Sequence, residues 1–363
     1  VPPVGRELAD RNLEEVEMTA GNFGERFYGA RDLPAWHRHG KTDNLEHTAE
    51  DAFEMIGRYS VHKLQLQTIV TRGDGSHIEV PAYGLVRAPT PDDPVERYFG
   101  TVSADYFLVD PDMFNAMWDR VTRKPVETMI ALHGGRQFVI TARLGKFAVK
   151  DDEIENYLQA YTYMDGSSAA GTLTSSVRMV CANTVAMAIS ASQDHQRFVH
   201  DQWIMDRMAR WLEDVIQRAE ANLPELQEAY TTLAGYSLGR TNDNRVKDIR
   251  DVIHSAYPAV PEFVADPLMP NEVNESRAKK QAAQVKIVDQ RRVQVLDLFK
   301  GEGRGMRNAA TWGTMWGLVQ AVNELEDWKG GSAGAGLAHS ILFGERAATK
   351  ARAMATALEI AGG

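Results

Sequence analysis

The stretch from Tyr157 to Ser190 reads YLQAYTYMDGSSAAGTLTSSVRMVCANTVAMAIS. Two runs rich in β-branched and aromatic residues flank Asp165-Gly166-Ser167-Ser168. A short polar turn holding a Gly between two such runs predicts a pair of antiparallel strands. The second run carries Arg178, then Cys181, the only cysteine of the chain, then Asn183 and Thr184 at the mouth of an apolar segment that reads as a helix. On this reading Asp165-Gly166 makes a tight turn and Asn183 or Thr184 caps the helix. Arg178 then pairs with a buried acid, and Cys181 packs as a small apolar residue.

Working back from this stretch, the signals are those of an antiparallel sheet. VETMIALH and RQFVITARL are joined by Gly134 and Gly135, which predicts a hairpin. Period-two alternation from Val61 to Thr68, the glycine turn RGDGS and the run Ile78–Tyr83 predict another, with Pro81 marking an edge. Tyr98–Ser103 reads as a further strand. Two helices interrupt them. Thr48 with Asp51 three residues on resembles a capping box, and Asp110-Pro111 is a cap followed by Pro at the first helical position. Residues 1–35 are polar, with Gly21, Gly24 and Gly29, and read as an arm ordered by packing on something else.

After residue 190 strand signals vanish. Trp203–Leu233 predicts a long helix that Pro224 kinks or divides, and Asn244–Ala256 a shorter one. Four prolines between residues 257 and 270 predict an extended linker. Asn271–Phe299 reads as a long basic helix whose Val285, Val288, Arg292, Val295 and Phe299 step by 3, 4, 3, 4, a packing seam. The expectation is therefore an α+β chain: an N-terminal arm (1–35), a largely antiparallel sheet with crossing helices (36–200), and an all-helical C-terminal region (201–363).

Composition narrows the function classes. With 44% apolar and 25% charged residues the chain is an ordinary globular protein. No run of about 18 apolar residues predicts a membrane span, and no charged, apolar, small-residue leader predicts secretion. One cysteine fits a reducing compartment, so a cytoplasmic protein is expected. The net charge of −10 argues against a general nucleic-acid coat, but the charge is unevenly placed. Between Arg277 and Arg307 nine basic residues face three acidic ones, a local surplus of six.

Catalytic chemistry is thin. Asp165, Ser167 and Arg178 supply acid, hydroxyl and base types, yet no His follows at a spacing that activates Ser167. A two-metal site would need a second acid beside Asp165, for which Asp151, Asp152 and Glu153 are candidates. His37 and His39 form an H-x-H pair near Asp43 and His47, but Pro34 and Gly40 place it in a loop, so no metal or other cofactor is expected.

Trp36-His37 with Gly40, Asp165-Gly166-Ser167, Arg178-Met179-Val180-Cys181-Ala182-Asn183-Thr184, Thr311-Trp312-Gly313 and Ala321-Val322-Asn323-Glu324 together resemble a family of phage- and plasmid-borne proteins, the domain of unknown function 932 type. The resemblance runs from about residue 30 to the C-terminus. Tyr163-Met164 stands where such proteins often have Ser-His before the Asp, and His39 replaces an apolar residue. The family carries no assigned reaction. The resemblance implies a mobile-element setting beside DNA repair and anti-restriction functions, and the sheet-plus-basic-helix order is similar in logic to phage single-strand annealing proteins.

The expected function is a non-enzymatic, oligomeric single-stranded DNA-binding protein that assists annealing or recombination. Lys279, Lys280, Arg291 and Arg292 would neutralise phosphates, and Arg136 and Arg143 on the Gly-Gly hairpin would extend the track. The alternatives are a metal-dependent nuclease centred on Asp165 and Arg178, and a structural or interaction protein of the mobile element.

Overall fold

Alternation along the central strands decides the fold. In Gln137–Val149 the side chains of Phe138, Ile140 and Ala142 fall on one face, and in Asp152–Tyr163 Leu158 and Ala160 fall beside them. A period of two puts such a set on one side of a sheet. In the computed structural model, which describes residues 26–29, 45–67, 69–178, 183–185, 196–239, 243–328, 340 and 344–362, these strands form the middle of a seven-stranded antiparallel sheet. Its order is β1 (Arg26–Gly29), β7 (Thr128–Leu132), β8 (Gln137–Val149), β9 (Asp152–Tyr163), β10 (Ala170–Arg178) and β11 (Asn183–Val185), with β12 (Gln196–Phe198) also paired to β10. Three shorter strands, β2 (Val61–Leu66), β5 (Ala82–Arg87) and β6 (Arg97–Val102), make a second sheet, and β3 (Ile69–Thr71) pairs with β4 (His77–Glu79) around the RGDGS turn.

The apolar face of the large sheet is covered by α1 (Ala49–Met55), α2 (Pro111–Thr122) and the first half of α3 (Ile204–Gly235). Phe138 is fully buried and meets the rings of Phe53, Tyr59 and Phe114 edge-on, with centroids 5.6–6.5 Å apart. Each such pair contributes about 0.5–1.5 kcal/mol beyond the area it buries. Both helix caps form as the sequence indicates. Thr48 Oγ1 accepts from Asp51 N at 3.1 Å, and Asp110 Oδ1 accepts from Met113 N at 2.9 Å. The opposite face of the sheet is buried as well and is mixed: Thr128, Gln137, Thr141 and Gln159 are shielded there together with Ile130, Leu132 and Val139.

The second half of α3 leaves the sheet and enters another cluster. There it packs with α4 (Asp243–Ala256), the end of α5 (Asn271–Asp297), α6 (Met315–Trp328) and α7 (Glu345–Gly362). Leu226, Tyr230 and Leu233 of α3 share this cluster with Trp316, Leu318 and Val322 of α6, and Tyr230 stacks on Trp316 at 4.8 Å. Val149 and Ile154, at the foot of β8 and β9, belong to it too. Helix α3 and the foot of β8 and β9 thus tie the two clusters together.

Five local expectations change. Strands do not end at residue 190: Gln196–Phe198 forms β12 because it pairs with Ala170–Thr172 of β10. Pro224 does not divide the helix: it lies inside α3, which runs on from Ile204 to Gly235. The Gly-Gly hairpin has a four-residue loop, His133–Arg136, because Leu132 pairs with Gln137 and His133 itself has φ 54°. Asn183 and Thr184 do not cap a helix: they lie in β11, opposite Arg178 and Val177, since the β-branched pair Thr184-Val185 suits a strand. Residues 26–29, assigned to the arm, form the edge strand β1; the remainder of the arm, Trp36, His37, His39 and Cys181 lie outside the described residues. Among the described residues no helix is long and apolar enough to cross a membrane.

Candidate nucleic-acid interface

The turn that follows β9 explains its sequence. Asp165 Oδ1 accepts from Ser167 N at 2.9 Å, and Gly166 adopts φ 74°. An Asp side chain closing on the backbone two residues ahead, then a residue in the left-handed region, is a tight turn with a mechanical reason for each type. The turn docks against the second sheet. A Cβ on Gly100 of β6 would stand 2.5 Å from Asp165 O. Around it Tyr106 Oη donates to Tyr163 O at 3.1 Å, and Arg197 donates to Ser168 Oγ at 2.8 Å. The Tyr106 ring stacks on His200 at 4.7 Å. His200 Nδ1–H donates to Phe107 O at 3.0 Å while Nε2 has no hydrogen-bond partner among the described residues. Burial holds the His200 imidazole below its ordinary pKa.

Arg178 is at the far end of the same sheet. It pairs with Ile154, at the foot of β9, whereas Asp165 follows the top of β9. Nine residues of β10 put these ends about 30 Å apart. The candidate partner acids are also at the foot. Asp151 accepts from Ala309 N and Ala310 N, each at 3.0 Å, and Asp152 Oδ2 accepts from the Trp316 indole at 2.9 Å. Lys146 Nζ holds Glu153 at 2.7 Å. The fold therefore does not bring Asp165 together with Arg178 or with Asp151, Asp152 and Glu153.

The six proposed phosphate-binding residues divide. Arg136 is half-buried, its guanidinium over the Phe99 ring at 5.0 Å and Nη1 donating to Phe99 O at 2.7 Å. Arg143 Nη1 holds Glu155 Oε1 at 2.9 Å, and Tyr157 Oη donates to the other oxygen of that buried carboxylate. Arg291 Nη1 reaches the buried Glu326 Oε1 at 3.2 Å, beside Tyr257 Oη, which donates to the same oxygen at 2.6 Å. Arg292 crosses from the seam to the Tyr257 carbonyl, donating from Nη2 at 2.7 Å and Nε at 3.1 Å, and also reaches Asp289 at 3.3 Å. Lys279 and Lys280 remain on the exposed middle of α5 with Arg277 and Lys286, and none of the four makes an ion pair among the described residues. Lys300, Arg304 and Arg307 continue this basic series through and past the π turn Leu298–Glu302, all three exposed.

The buried ion pairs have little signature in the sequence. Arg87 of β5 is wholly shielded and binds Asp93, which Arg97 also holds at 2.9 Å. Arg26 of β1 reaches the neighbouring Asp92 at 2.6 Å. Lys350 Nζ stands 2.7 Å from Asp327 Oδ1 with both side chains buried. The only local signal was the acid pair Asp92-Asp93 in a proline-rich loop.

The fold and site define an α+β protein with an antiparallel sheet, a helical region and a long basic helix. The chain belongs to the family described as a domain of unknown function (DUF932), which matches residues 98–354. The match runs from β6 into the first half of α7, including Asp165-Gly166-Ser167 and Arg178, and leaves out Trp36-His37. No curated protein and no solved structure matches the chain.

Proposed function

We propose that this protein is a non-enzymatic, oligomeric binder of single-stranded DNA that assists annealing or recombination of phage or plasmid DNA in the host cytoplasm. The observation that supports this reading is the middle of α5. Between Ser276 and Val288 the helix carries Arg277, Lys279, Lys280 and Lys286 and no acid, all four exposed and without an ion pair among the described residues. Backbone binding of a single strand needs only such accessible cations. Arg136, Arg143, Arg291 and Arg292 act in the fold instead, so the phosphate track shortens to α5 and the adjoining Lys300, Arg304 and Arg307.

Filter binding of a labelled single strand, with and without Mg²⁺, tests it. Retention without cleavage is the expected result. Removing one cation that touches phosphate reduces the slope of log affinity against log salt by about 0.7. A Lys279→Gln, Lys280→Gln, Lys286→Gln variant should therefore flatten the slope by roughly two units while its circular dichroism stays unchanged. Cleavage of the strand, or an unaltered slope in the triple variant, would overturn the reading.

A further inference from the structure

Helix α5 spans 27 residues, about 40 Å, and of these only Val295 is fully buried. The linker before it runs back alongside. Asn274 Nδ2 donates to Asp266 O and Gln281 Nε2 to Pro261 O, each at 2.8 Å. Linker and helix thus make a two-limbed arm that leaves the second cluster. Its surface is not that of an ordinary solvated helix. Val264 is 84% exposed, Leu268 92%, Ile287 51% and Val293 56%.

The charges along the arm are sorted. From residue 258 to 276 there are four acids, Glu262, Asp266, Glu272 and Glu275, and no base. From 277 to 288 there are four bases, Arg277, Lys279, Lys280 and Lys286, and no acid. None of the eight makes an ion pair among the described residues. Asp266, Glu272 and Glu275 lie toward the tip where linker and helix meet, whereas Glu262 follows Pro261, whose carbonyl meets Gln281 in the basic stretch. A segment charged negative then positive matches a copy of itself laid in the opposite direction: each acidic tip meets a basic middle, twice, by symmetry. Laid in the same direction it would set like on like. A stripe for the contact exists. Val273, Ser276, Lys280, Ala283 and Ile287 step by 3, 4, 3, 4 on a side of α5 away from the seam, and the small Ser276 and Ala283 permit close approach.

We infer that the arm is an interaction surface for a second copy of this chain, the two arms pairing antiparallel about a twofold axis. The pairing sets Glu272 and Glu275 of each arm against the basic stretch of the other. The inference does not rest on the DNA reading, although both use the basic block. If both hold, a strand and a second copy compete for it, and each weakens the other by the same factor.

Charge reversal on the full chain tests the pairing. Light scattering should give about twice the 40.4 kDa chain mass for the native protein. Glu272→Lys with Glu275→Lys should weaken self-association about tenfold or more, and so should Lys279→Glu with Lys280→Glu. An equimolar mixture of the two variants should recover the dimer, since each then offers the charge the other lacks; misfolding of either variant cannot produce that recovery. A native protein that stays monomeric at high micromolar concentration, variants that still self-associate as the native chain does, or a mixture that fails to recover while both variants keep native circular dichroism would overturn it. The Glu272→Lys, Glu275→Lys protein keeps all four cations. Failure of the native chain and of this variant to bind a single strand would sink the DNA reading alone and leave the dimer result standing.

Discussion

The indole N–H of Trp316 donates to Asp152 Oδ2 at 2.9 Å, tying the first residue of β9 to the second residue of α6 across 164 positions of sequence. Both side chains are fully buried, and the Trp316 ring also stacks on Tyr230 of α3. One residue thus joins the sheet, the long helix that spans both clusters, and the helical region. A hydrogen bond to a charged group contributes about 1.5–3 kcal/mol, and a buried carboxylate that loses a donor bears the cost. Trp316→Phe should therefore lower stability by at least about 2 kcal/mol, read as a shift in the urea midpoint. A midpoint within error of the native one would show that Asp152 is satisfied without the indole.

The Asp165-Gly166-Ser167 turn predicts a backbone-packing effect. A Cβ at Gly100 meets the Asp165 carbonyl oxygen at 2.5 Å, a main-chain atom that cannot rotate away. Gly100→Ala should cost about 1–3 kcal/mol by forcing the turn off β6. Gly73, in the RGDGS turn, is the control, since nothing lies within 4 Å of a Cβ there and its φ is not in the left-handed region. Gly73→Ala should be neutral or slightly stabilising. Equal effects in thermal melts of the two variants would remove the explanation given for Gly100.

What the sequence made legible was local. Caps at Thr48 and Asp110, glycine turns and period-two runs each act within a few residues, so they placed the helices and most strands. The misplaced features were decided at a distance. Asn183 and Thr184 join a strand because β10 is beside them, which outweighs their capping preference. Arg291 and Arg292 resemble free cations until Glu326 and the Tyr257 carbonyl, each about 35 residues away, arrive. Asp165 and Arg178 are near in sequence yet at opposite ends of β10, because an extended strand of nine residues separates as much as it connects.

His200 predicts a pH effect. Burial lowers its pKa, while its bond to the Phe107 carbonyl and the charge of Asp165 oppose the shift without reversing it. Charged and titratable groups near it are Asp165 on the β9–β10 turn and Tyr106 on the loop before α2. In the unfolded chain a His takes up a proton near pH 6.5; in the fold this one resists. The unfolded state then binds more protons below about pH 6.5, so stability falls as pH falls through that value. His200→Gln, whose amide can still donate to Phe107 O, should lose less melting temperature between about pH 7.5 and 5.5 than the native protein does. Parallel losses in the two proteins would assign the acid sensitivity to other groups.

Arg291 separates folding from binding. Its guanidinium lies 3.2 Å from Glu326 Oε1 and over the Tyr257 ring at 5.9 Å, and Glu326 is almost wholly shielded. Burial and the same carboxylate together push the Tyr257 phenol well above its ordinary pKa, so that Tyr257 stays a hydrogen-bond donor at every accessible pH. With Arg291 removed, the Tyr257 hydroxyl bond remains but the adjacent cation is gone, and a buried carboxylate that loses a charged partner costs about 1–3 kcal/mol. The Arg side is half exposed, which sets the expectation toward the lower end of that range. Arg291→Gln should therefore lower the melting temperature measurably, whereas Lys279→Gln and Lys280→Gln, on the exposed arm, should leave it within error. The contrast also bears on strand binding. A loss of affinity in Arg291→Gln would accompany a change in fold, while one in the lysine variants would not. If Arg291→Gln melts as the native protein does, then Glu326 does not need this cation, and Arg291 rejoins Lys279 and Lys280 as a residue available to phosphate.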